Sequence, residues 1–288
     1  MAKMNDDKLN IVMLDDSCTG DADRVFRSAF NINDSREDII RMYCSFQPDG
    51  YFIAYRNKIP VGMAGAIDYG AFAYIGMMAV DNPCQRQGIG AILFRHILEW
   101  ITKKGVSAAF LDATDTGRLL YTQFGFKPVD ITHLYALRIH PSPPPPDTRV
   151  STVRESDIGR LRGFDTPIFG ANRDKIFRTL LGHYPGRAFY TTTPDGRLNG
   201  YIFAQTERIG PWVASSEPAA RSLLSAVLAL PFKERPTVSV PGMNGRAKPL
   251  LEAFGFSSVF QNTHMRRCDI GFPDHRELVY GQTSFASG

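Results

Sequence analysis

The chain has 288 residues, of which 43% are hydrophobic and 22% are charged, and its formal net charge at pH 7 is +4. This length and composition favour one or two globular domains and argue against a disordered tail, a coiled coil or a collagen-like rod. The apolar runs are too short to span a membrane, no export signal opens the sequence, and the basic residues form no dense run. We therefore expect a cytoplasmic protein that binds neither nucleic acid nor a membrane.

The cysteines and histidines do not follow the spacing of a metal site. The four cysteines, Cys18, Cys44, Cys84 and Cys268, contain no CxxC pair, and the six histidines contain no pair at ligand spacing. We predict reduced thiols and no bound metal.

A proline-rich segment divides the chain near its midpoint. Residues 141–148 read PSPPPPDT, and successive prolines favour an extended spacer without backbone donors. Strand-like segments flank it at residues 135–139 and 148–153. We predict a first domain at residues 1–140, a linker at 141–148 and a second domain at 149–288.

The two halves resemble distant copies of each other, because Phe124-Gly125-Phe126 recurs as Phe254-Gly255-Phe256. Before each copy, the periodicity predicts a strand, a helix, a second strand and a short helix. In the first half these elements are Tyr74–Val80, Gly88–Lys104, Ala108–Ala113 and Gly117–Phe124. In the second half they are Gly210–Ala214, Ala219–Leu230, Thr237–Val240 and Arg246–Phe254. Strands alternating with helices indicate an α/β fold.

The segment Val80–Ala91 stands between a predicted strand and a long predicted helix. Its glycines allow close approach of a ligand to the backbone, and the amides of the first helical turn favour anions. A phosphate-bearing ligand is the natural occupant. The dinucleotide fingerprint GxGxxG fails because position 93 is leucine, and the phosphate-binding loop GxxxxGK[ST] is absent.

This segment resembles the acyl-CoA-binding motif of the GCN5-related N-acetyltransferase (GNAT) superfamily. The family pattern [QR]xxGx[GA] is met by Gln85, Gly88 and Gly90, and a closing YxxxGF sequence begins at Tyr121 in the family's order. The resemblance covers roughly residues 50–138. It implies an α/β (α+β) fold of two tandem GNAT-like domains, each a mixed, mostly antiparallel sheet flanked by helices.

The resemblance also implies acetyl-CoA as the acyl donor. The strand before the motif would splay from its neighbour and pair with the pantetheine arm, the turn would cradle the pyrophosphate, and Thr114 would replace a cofactor-facing asparagine. The cofactor-binding residues implied in this way are Met78, Ala79, Val80, Gln85, Arg86, Gln87, Gly88, Ile89, Gly90, Ala91, Thr114 and Tyr121. A solvated surface role for Arg86 remains an alternative.

Two catalytic roles follow from the same match. Tyr121 would be the general acid that protonates the departing thiolate, with a buried packing role as the alternative. The backbone amide of Met78 would stabilise the oxyanion. The general base stays open, because Gly76 stands where many relatives have a carboxylate. The nearby carboxylates that could replace it are Asp68, Asp112 and Asp115.

The second half keeps the pattern of elements but loses the glycines. Glu217 and Pro218 stand at the start of its long helix, where they disfavour a pyrophosphate. Residues 164–173, 210–212 and 244–256 make this half resemble the YitH-type second domain of tandem GNAT proteins, and we expect that it does not acetylate. Asp165, Phe169 and Trp212 are candidates for holding a cationic amine, with core packing as the alternative.

The predicted function is acetyl-CoA-dependent transfer of an acetyl group to a primary amine, with a small molecule as the acceptor. The alternatives are acetylation of protein lysines or amino termini, and a CoA-sensing module without turnover. The sequence leaves the amine and the oligomeric state open. We predict a loosely ordered tail at residues 274–288.

Overall fold

The computed structural model describes residues 9–139, 149–268 and 272–288. The chain divides into two compact units between Ala109 and Phe110. The predicted domains, residues 1–140 and 149–288, follow a different boundary and stay a prediction, because the linker at 141–148 lies outside the described residues. The eight predicted elements before the Phe-Gly-Phe repeats are confirmed to within two residues at each end.

The first unit is an antiparallel sheet with helices packed against it. Its strands pair in the order β1-β2-β3-β4, and helices α1 and α3 pack against β3 and β4. The strands are β1 (Asn10–Met13), β2 (Tyr51–Arg56), β3 (Ile59–Asp68) and β4 (Ala73–Val80), and the helices are α1 (Thr19–Phe30), α2 (Glu37–Phe46) and α3 (Ile89–Lys103). Every residue of β3 from 60 to 67 is buried, so both faces of this strand are covered.

The second unit holds the rest of the elements. Its strands are β5 (Ala109–Ala113, which begins at the unit boundary), β6 (Lys127–Leu137), β7 (Val150–Thr152), β8 (Ala188–Thr192), β9 (Leu198–Ala204), β10 (Arg208–Ala214), β11 (Thr237–Pro241), β12 (Phe256–Arg267) and β13 (Val279–Gly281). Its helices are α4 (Asp115–Gln123), α5 (Ile158–Phe169), α6 (Asp174–His183), α7 (Glu217–Leu228) and α8 (Ala247–Ala253). Strands β10 and β11 are parallel, and six pairs of this unit are antiparallel: β10 with β13, β9 with β10, β6 with β11, β6 with β12, β7 with β8 and β8 with β9. The predicted mixed, mostly antiparallel α/β fold is confirmed.

The closing strands of the two sequence halves exchange places. The strand order is β5-β12-β6-β11-β10-β9-β8-β7, so β6 lies between β12 and β11. The register pairs Leu137 with Phe256 and Tyr135 with Val238. Both Tyr135 and Leu137 join the hydrophobic core of the second half, around α7. The last strand of the first half is therefore built into the sheet of the second half.

The prediction of a loosely ordered tail is wrong for residues 274–288. The segment forms β13, which pairs with β10, and its residues from 279 to 284 are buried. Pairing with β10 and the burial of Val279 and Tyr280 hold this strand in place, and its three residues are too few to show a hydrophobic period.

Three further findings concern the described residues. No helix among them has both the length and the apolar character needed to cross a bilayer. They contain no group of three or more His, Cys, Asp or Glu side chains arranged to hold a metal ion. All four cysteines are free thiols.

Candidate active site

A bulge interrupts β4 at the residues predicted to flank the acyl group. The register pairs Gly76 with Gly65 and Ala79 with Met63, so Met77 and Met78 together oppose a single residue of β3. Met77 adopts a φ of 53°, a left-handed conformation that costs a non-glycine residue roughly 1–2 kcal/mol. A bulge leaves its extra residue outside the ladder and redirects the strand. Met78, the predicted oxyanion donor, lies in this bulge.

The turn after β4 is fixed to the body of the first unit. Asp81 forms an ion pair with Arg24 at 3.3 Å, and its backbone amide donates to the Val61 carbonyl at 3.0 Å. The backbone amide of Asn82 donates to the Ser28 hydroxyl at 3.2 Å. The turn therefore keeps one position relative to β3 and α1.

The two glutamines of the motif brace the turn with their side chains. Gln85 donates from Nε2 to the Val80 carbonyl at 3.1 Å, and Gln87 donates from Nε2 to the Pro83 carbonyl at 3.1 Å. Arg56 in turn donates to Oε1 of Gln87 at 2.6 Å. These bonds occupy the side-chain groups and give both residues a structural role in shaping the loop.

The backbone conformation from Arg86 to Gly88 allows a ligand to approach the main chain closely. Arg86 has a φ of 61° and Gly88 a φ of 82°, so the chain turns back on itself on either side of Gln87. A Cβ added at Gly88 would meet nothing within 4 Å, which means that the space outside the turn is open. Glycine is needed here for its conformation, and its missing side chain keeps the backbone accessible.

The N-terminus of α3 carries no side-chain cap. Gly88 is the N-cap residue, and the first bond within the helix runs from the Ile92 amide to the Gly88 carbonyl at 3.2 Å. The amides of Ile89, Gly90 and Ala91 precede that bond and belong to the first turn, whose N–H groups have no intrahelical acceptor. Ile89 is 1% exposed, so it offers only its backbone. Uncapped amides at the positive end of a 15-residue helix form a site for an anionic oxygen.

Tyr121 lies in the second unit, on α4. Its side chain is 8% exposed, and burial raises the pKa of the phenol, which keeps it protonated. The ring packs along the first turn of α4, because a Cβ added at Gly117 would lie 2.9 Å from Cε2 of the ring. The ring of Phe126 lies near that of Tyr121, with the two centroids 6.4 Å apart. The phenol therefore carries a proton at neutral pH, but its raised pKa also makes it a weaker acid than a free tyrosine, and the general-acid role stays a prediction.

Thr114 caps the same helix. Its hydroxyl oxygen accepts a hydrogen bond from the Gly117 amide at 3.2 Å, which satisfies one of the first-turn donors of α4. The hydroxyl hydrogen remains able to donate, so the predicted contact with the cofactor stays a prediction.

Of the three candidate bases, Asp112 is built into a buried polar cluster of the second unit. Its carboxylate accepts from the Thr132 hydroxyl at 2.7 Å and from Nε2 of Gln282 at 3.2 Å, and it lies 3.3 Å from Nδ1 of His264. Burial lowers the pKa of His264 to about 4, so the imidazole is neutral at pH 7. Nε2 of that imidazole accepts from Arg266 at 3.1 Å. The geometry gives Asp112 a structural role.

The other two candidate bases lie on the surface of separate units. Asp68 in the first unit is half-buried and accepts from the Gly70 amide at 2.7 Å, and Asp115 is the exposed first residue of α4. The identity of the base stays open among Asp68, Asp112 and Asp115.

The predicted amine-binding residues are buried in the second unit. Asp165 is 1% exposed and forms a bidentate pair with Arg173, with both bonds at 2.7 Å. Arg173 also donates to Tyr201 at 2.7 Å and lies 3.9 Å from the ring centroid of Phe169. Arg173 is thus a cation of the protein itself that contacts Asp165 and Phe169, where a substrate amine was predicted to bind.

Trp212 is fully buried and stacks near Tyr280, with ring centroids 5.1 Å apart. The predicted acceptor role of Asp165, Phe169 and Trp212 stays a prediction that this geometry does not favour. Arg173 is the residue that the sequence analysis missed, although it stands only eight positions after Asp165.

Comparison with known families matches both halves of the chain. A model of the acetyltransferase (GNAT) family matches residues 19–126, and a model of an acetyltransferase (GNAT) domain matches residues 161–281. The chain belongs to the GNAT acetyltransferase family. It is a tandem GNAT protein and an N-acetyltransferase, and members of this family take acyl-CoA as the donor.

Solved structures resemble this tandem GNAT protein over most of its length. A protein from Pyrococcus horikoshii that is classed as an acetyltransferase is 25% identical, with a TM-score of 0.87 over 100% of this chain and 98% of that chain. A GCN5-related N-acetyltransferase from Sphaerobacter thermophilus is 15% identical, with a TM-score of 0.68 over 90% and 95% of the two chains. A tandem GNAT protein from the clavulanic acid biosynthesis pathway is 16% identical, with a TM-score of 0.64 over 90% and 98%. A search of the curated proteins finds no match.

The first GNAT domain match includes the uncapped turn before α3 as well as Tyr121. The second match includes Glu217 and Pro218 at the corresponding helix start. There the Ser216 hydroxyl accepts from the Ala219 amide at 3.4 Å, so α7 has the side-chain cap that α3 lacks. The assignment of the second domain to the YitH type stays a prediction.

Proposed function

We propose that this GNAT protein transfers an acetyl group from acetyl-CoA to the primary amine of a small molecule, and that the first domain performs the transfer. The observation that carries the proposal is the uncapped turn at the start of α3, where Gly88 has a φ of 82° and open space beside its backbone. Anionic diphosphate oxygens fit such a turn because its amides have no intrahelical acceptor.

The residues present fit acetyl-CoA. The amides from Gly88 to Ala91 would hold the diphosphate, and the exposed side chain of Arg86 would add positive charge beside it. Gln85 and Gln87 would act indirectly, by fixing the loop through the Val80 and Pro83 carbonyls. The start of α7 contrasts with this arrangement, because Ser216 caps it and Glu217 places a negative charge there.

Transfer of the acetyl group requires a hydrogen-bond donor to the oxyanion, a proton donor for the departing thiolate and a neutral amine. Bound acetyl-CoA supplies the thioester and its acetyl group. The Met78 amide in the β4 bulge would donate to the oxyanion, a contribution that costs ~3–4 kcal/mol of transition-state energy when removed from other enzymes. Tyr121 would give its proton to the departing thiolate, whose conjugate acid has a pKa of about 8.5. Because burial raises the pKa of the phenol above that value, the transfer would be uphill by itself and would proceed together with cleavage of the C–S bond.

Release of free thiol from acetyl-CoA tests the proposal directly. The purified protein is incubated with acetyl-CoA and a panel of small primary amines, amino acids and lysine-containing peptides, with an amine-free reaction as the control. We expect amine-dependent thiol release with at least one small amine. Release with peptides alone would make the protein a protein acetyltransferase. Thermal stabilisation by acetyl-CoA with no thiol release across the panel would identify a sensing module instead.

A further inference from the structure

The second half contains one strand for which the first half has no counterpart. The element order β4, α3, β5, α4, β6 recurs as β10, α7, β11, α8, β12. In the second half, β13 (Val279–Gly281) then follows β12, and nothing in the described part of the first half corresponds to it. The place that β13 takes in the sheet indicates what this addition does.

Strand β13 fills the gap that opens between β10 and β11. The two parallel strands pair at Arg208 with Thr237 and at Ile209 with Val238. Farther along, β10 pairs instead with β13, with Trp212 opposite Gly281. The Gln282 amide donates to the Ser239 carbonyl of β11 at 2.8 Å. Residues 279–282 therefore pair with β10 on one side of this gap and donate a hydrogen bond to β11 on the other.

Side chains of the second half hold the inserted segment in place. Asn244 donates from Nδ2 to the Val279 carbonyl at 3.1 Å, and Gln205 donates from Nε2 to the Thr283 carbonyl at 3.2 Å. Gly210 has a φ of 144°, and a Cβ added there would overlap the Gln282 carbonyl. Val279 is 6% exposed and Thr283 1%. This segment is as buried as the core strands β10 and β11 beside it.

We infer that residues 279–283 act as an internal ligand of the second half. They occupy the gap between β10 and β11, so this half offers no cleft there for the pantetheine arm of a donor. The Glu217 carboxylate and the Ser216 cap at the start of α7 remove the neighbouring anion site as well. The consequence is that one chain binds one acyl-CoA. This consequence rests on the proposed function.

Two variants, Gly210→Ala and Asn244→Ala, test how residues 279–283 are held against the strands around them. Gly210→Ala places a methyl group against the Gln282 carbonyl, and Gly245→Ala is the matched control, because a Cβ at Gly245 meets nothing within 4 Å. Asn244→Ala is a milder variant that removes one hydrogen bond to the segment. Amide hydrogen exchange of residues 279–283 is measured in the full chain, together with calorimetric titration of acetyl-CoA.

We expect one acetyl-CoA per wild-type chain and no change in exchange at residues 279–283 on binding. Gly210→Ala should speed exchange there by roughly tenfold or more and Asn244→Ala by about fivefold, with no change in Gly245→Ala. Two acetyl-CoA molecules per chain, or faster exchange of the segment when acetyl-CoA binds, would overturn the inference. Wild-type exchange rates in both segment variants would overturn it too. If acetyl-CoA does not bind at all, the proposed function fails, while the exchange of the variants still decides how the segment is held.

Discussion

Replacing Gly88 with alanine isolates the binding role of the turn before α3. Gly88 and Gly105 lie at opposite ends of α3, with φ values of 82° and 76°, and a Cβ at either position meets nothing within 4 Å. Alanine at either site therefore carries the same conformational cost of roughly 1–2 kcal/mol. At about 2–4 °C per kcal/mol, both variants should melt ~2–8 °C below the wild type.

Acetyl-CoA distinguishes the two variants, because only one of the glycines borders the proposed site. At 100 times its Kd, a ligand stabilises the folded state by about 2.7 kcal/mol, which raises Tm by ~5–10 °C. Gly105→Ala should keep this shift. In Gly88→Ala the new methyl group points into the space reserved for the diphosphate, and a 100-fold weaker affinity would leave about 0.4 kcal/mol, or less than ~2 °C. Differential scanning fluorimetry measures both values, and equal shifts in the two variants would show that Gly88 does not border the diphosphate site.

Three further predictions concern the second unit. Tyr121→Phe should keep acetyl-CoA binding while kcat falls by ~10²–10⁴-fold, and unchanged turnover across the pH range would remove the phenol from the mechanism. Because the pKa of His264 is depressed to about 4 in the folded state, its contribution to stability is complete above pH ~6.5 and is lost as pH falls toward 4, by about 3 kcal/mol. Denaturant melts of His264→Gln should lack this pH dependence, whereas melts of the exposed control His183→Gln should retain it. Asp165→Asn should cost ~3–5 kcal/mol of unfolding free energy with an unchanged KM for the amine, against less than ~1 kcal/mol for the exposed Asp195→Asn. A raised KM without loss of stability would instead support Asp165 as an acceptor residue.

The elements around the turn can be predicted because local signals determine them. Ile89, Leu93, Ile97 and Ile101 repeat at helical spacing, and each is at most 1% exposed in α3. Gly88 marks the helix start, and its left-handed conformation explains why glycine stands there. Fold class, element order and the position of the turn follow from such short-range patterns.

The exchange of the closing strands could not be predicted in the same way. Leu137 pairs with Phe256, which lies 119 positions later, and Gln282 reaches Asp112 across 170 positions. A strand sequence specifies which face is apolar, but its partner is chosen by the packing of the complete sheet. The ordered tail was missed for the same reason, since β13 has only three residues and its partners, β10 and the side chains of Gln205 and Asn244, lie far away in the sequence.

Side-chain roles at the site were only partly accessible from sequence. Gln85 and Gln87 match the family motif, yet their amide groups bind backbone carbonyls of the loop. Asp165 has the charge expected of an amine-binding residue, but Arg173 satisfies it within the fold. Sequence supplies the chemical type of a group, whereas its partner depends on three-dimensional packing.

Hydrogen exchange of the turn before α3 measures whether its backbone amides bind the diphosphate of acetyl-CoA. The amides from Gly88 to Ala91 are followed in the full chain with acetyl-CoA and with S-acetylpantetheine, which carries the same thioester but no diphosphate. We expect acetyl-CoA to slow exchange of these amides and S-acetylpantetheine at the same concentration to leave it unchanged. Unchanged exchange with saturating acetyl-CoA, or equal protection by both compounds, would contradict this expectation.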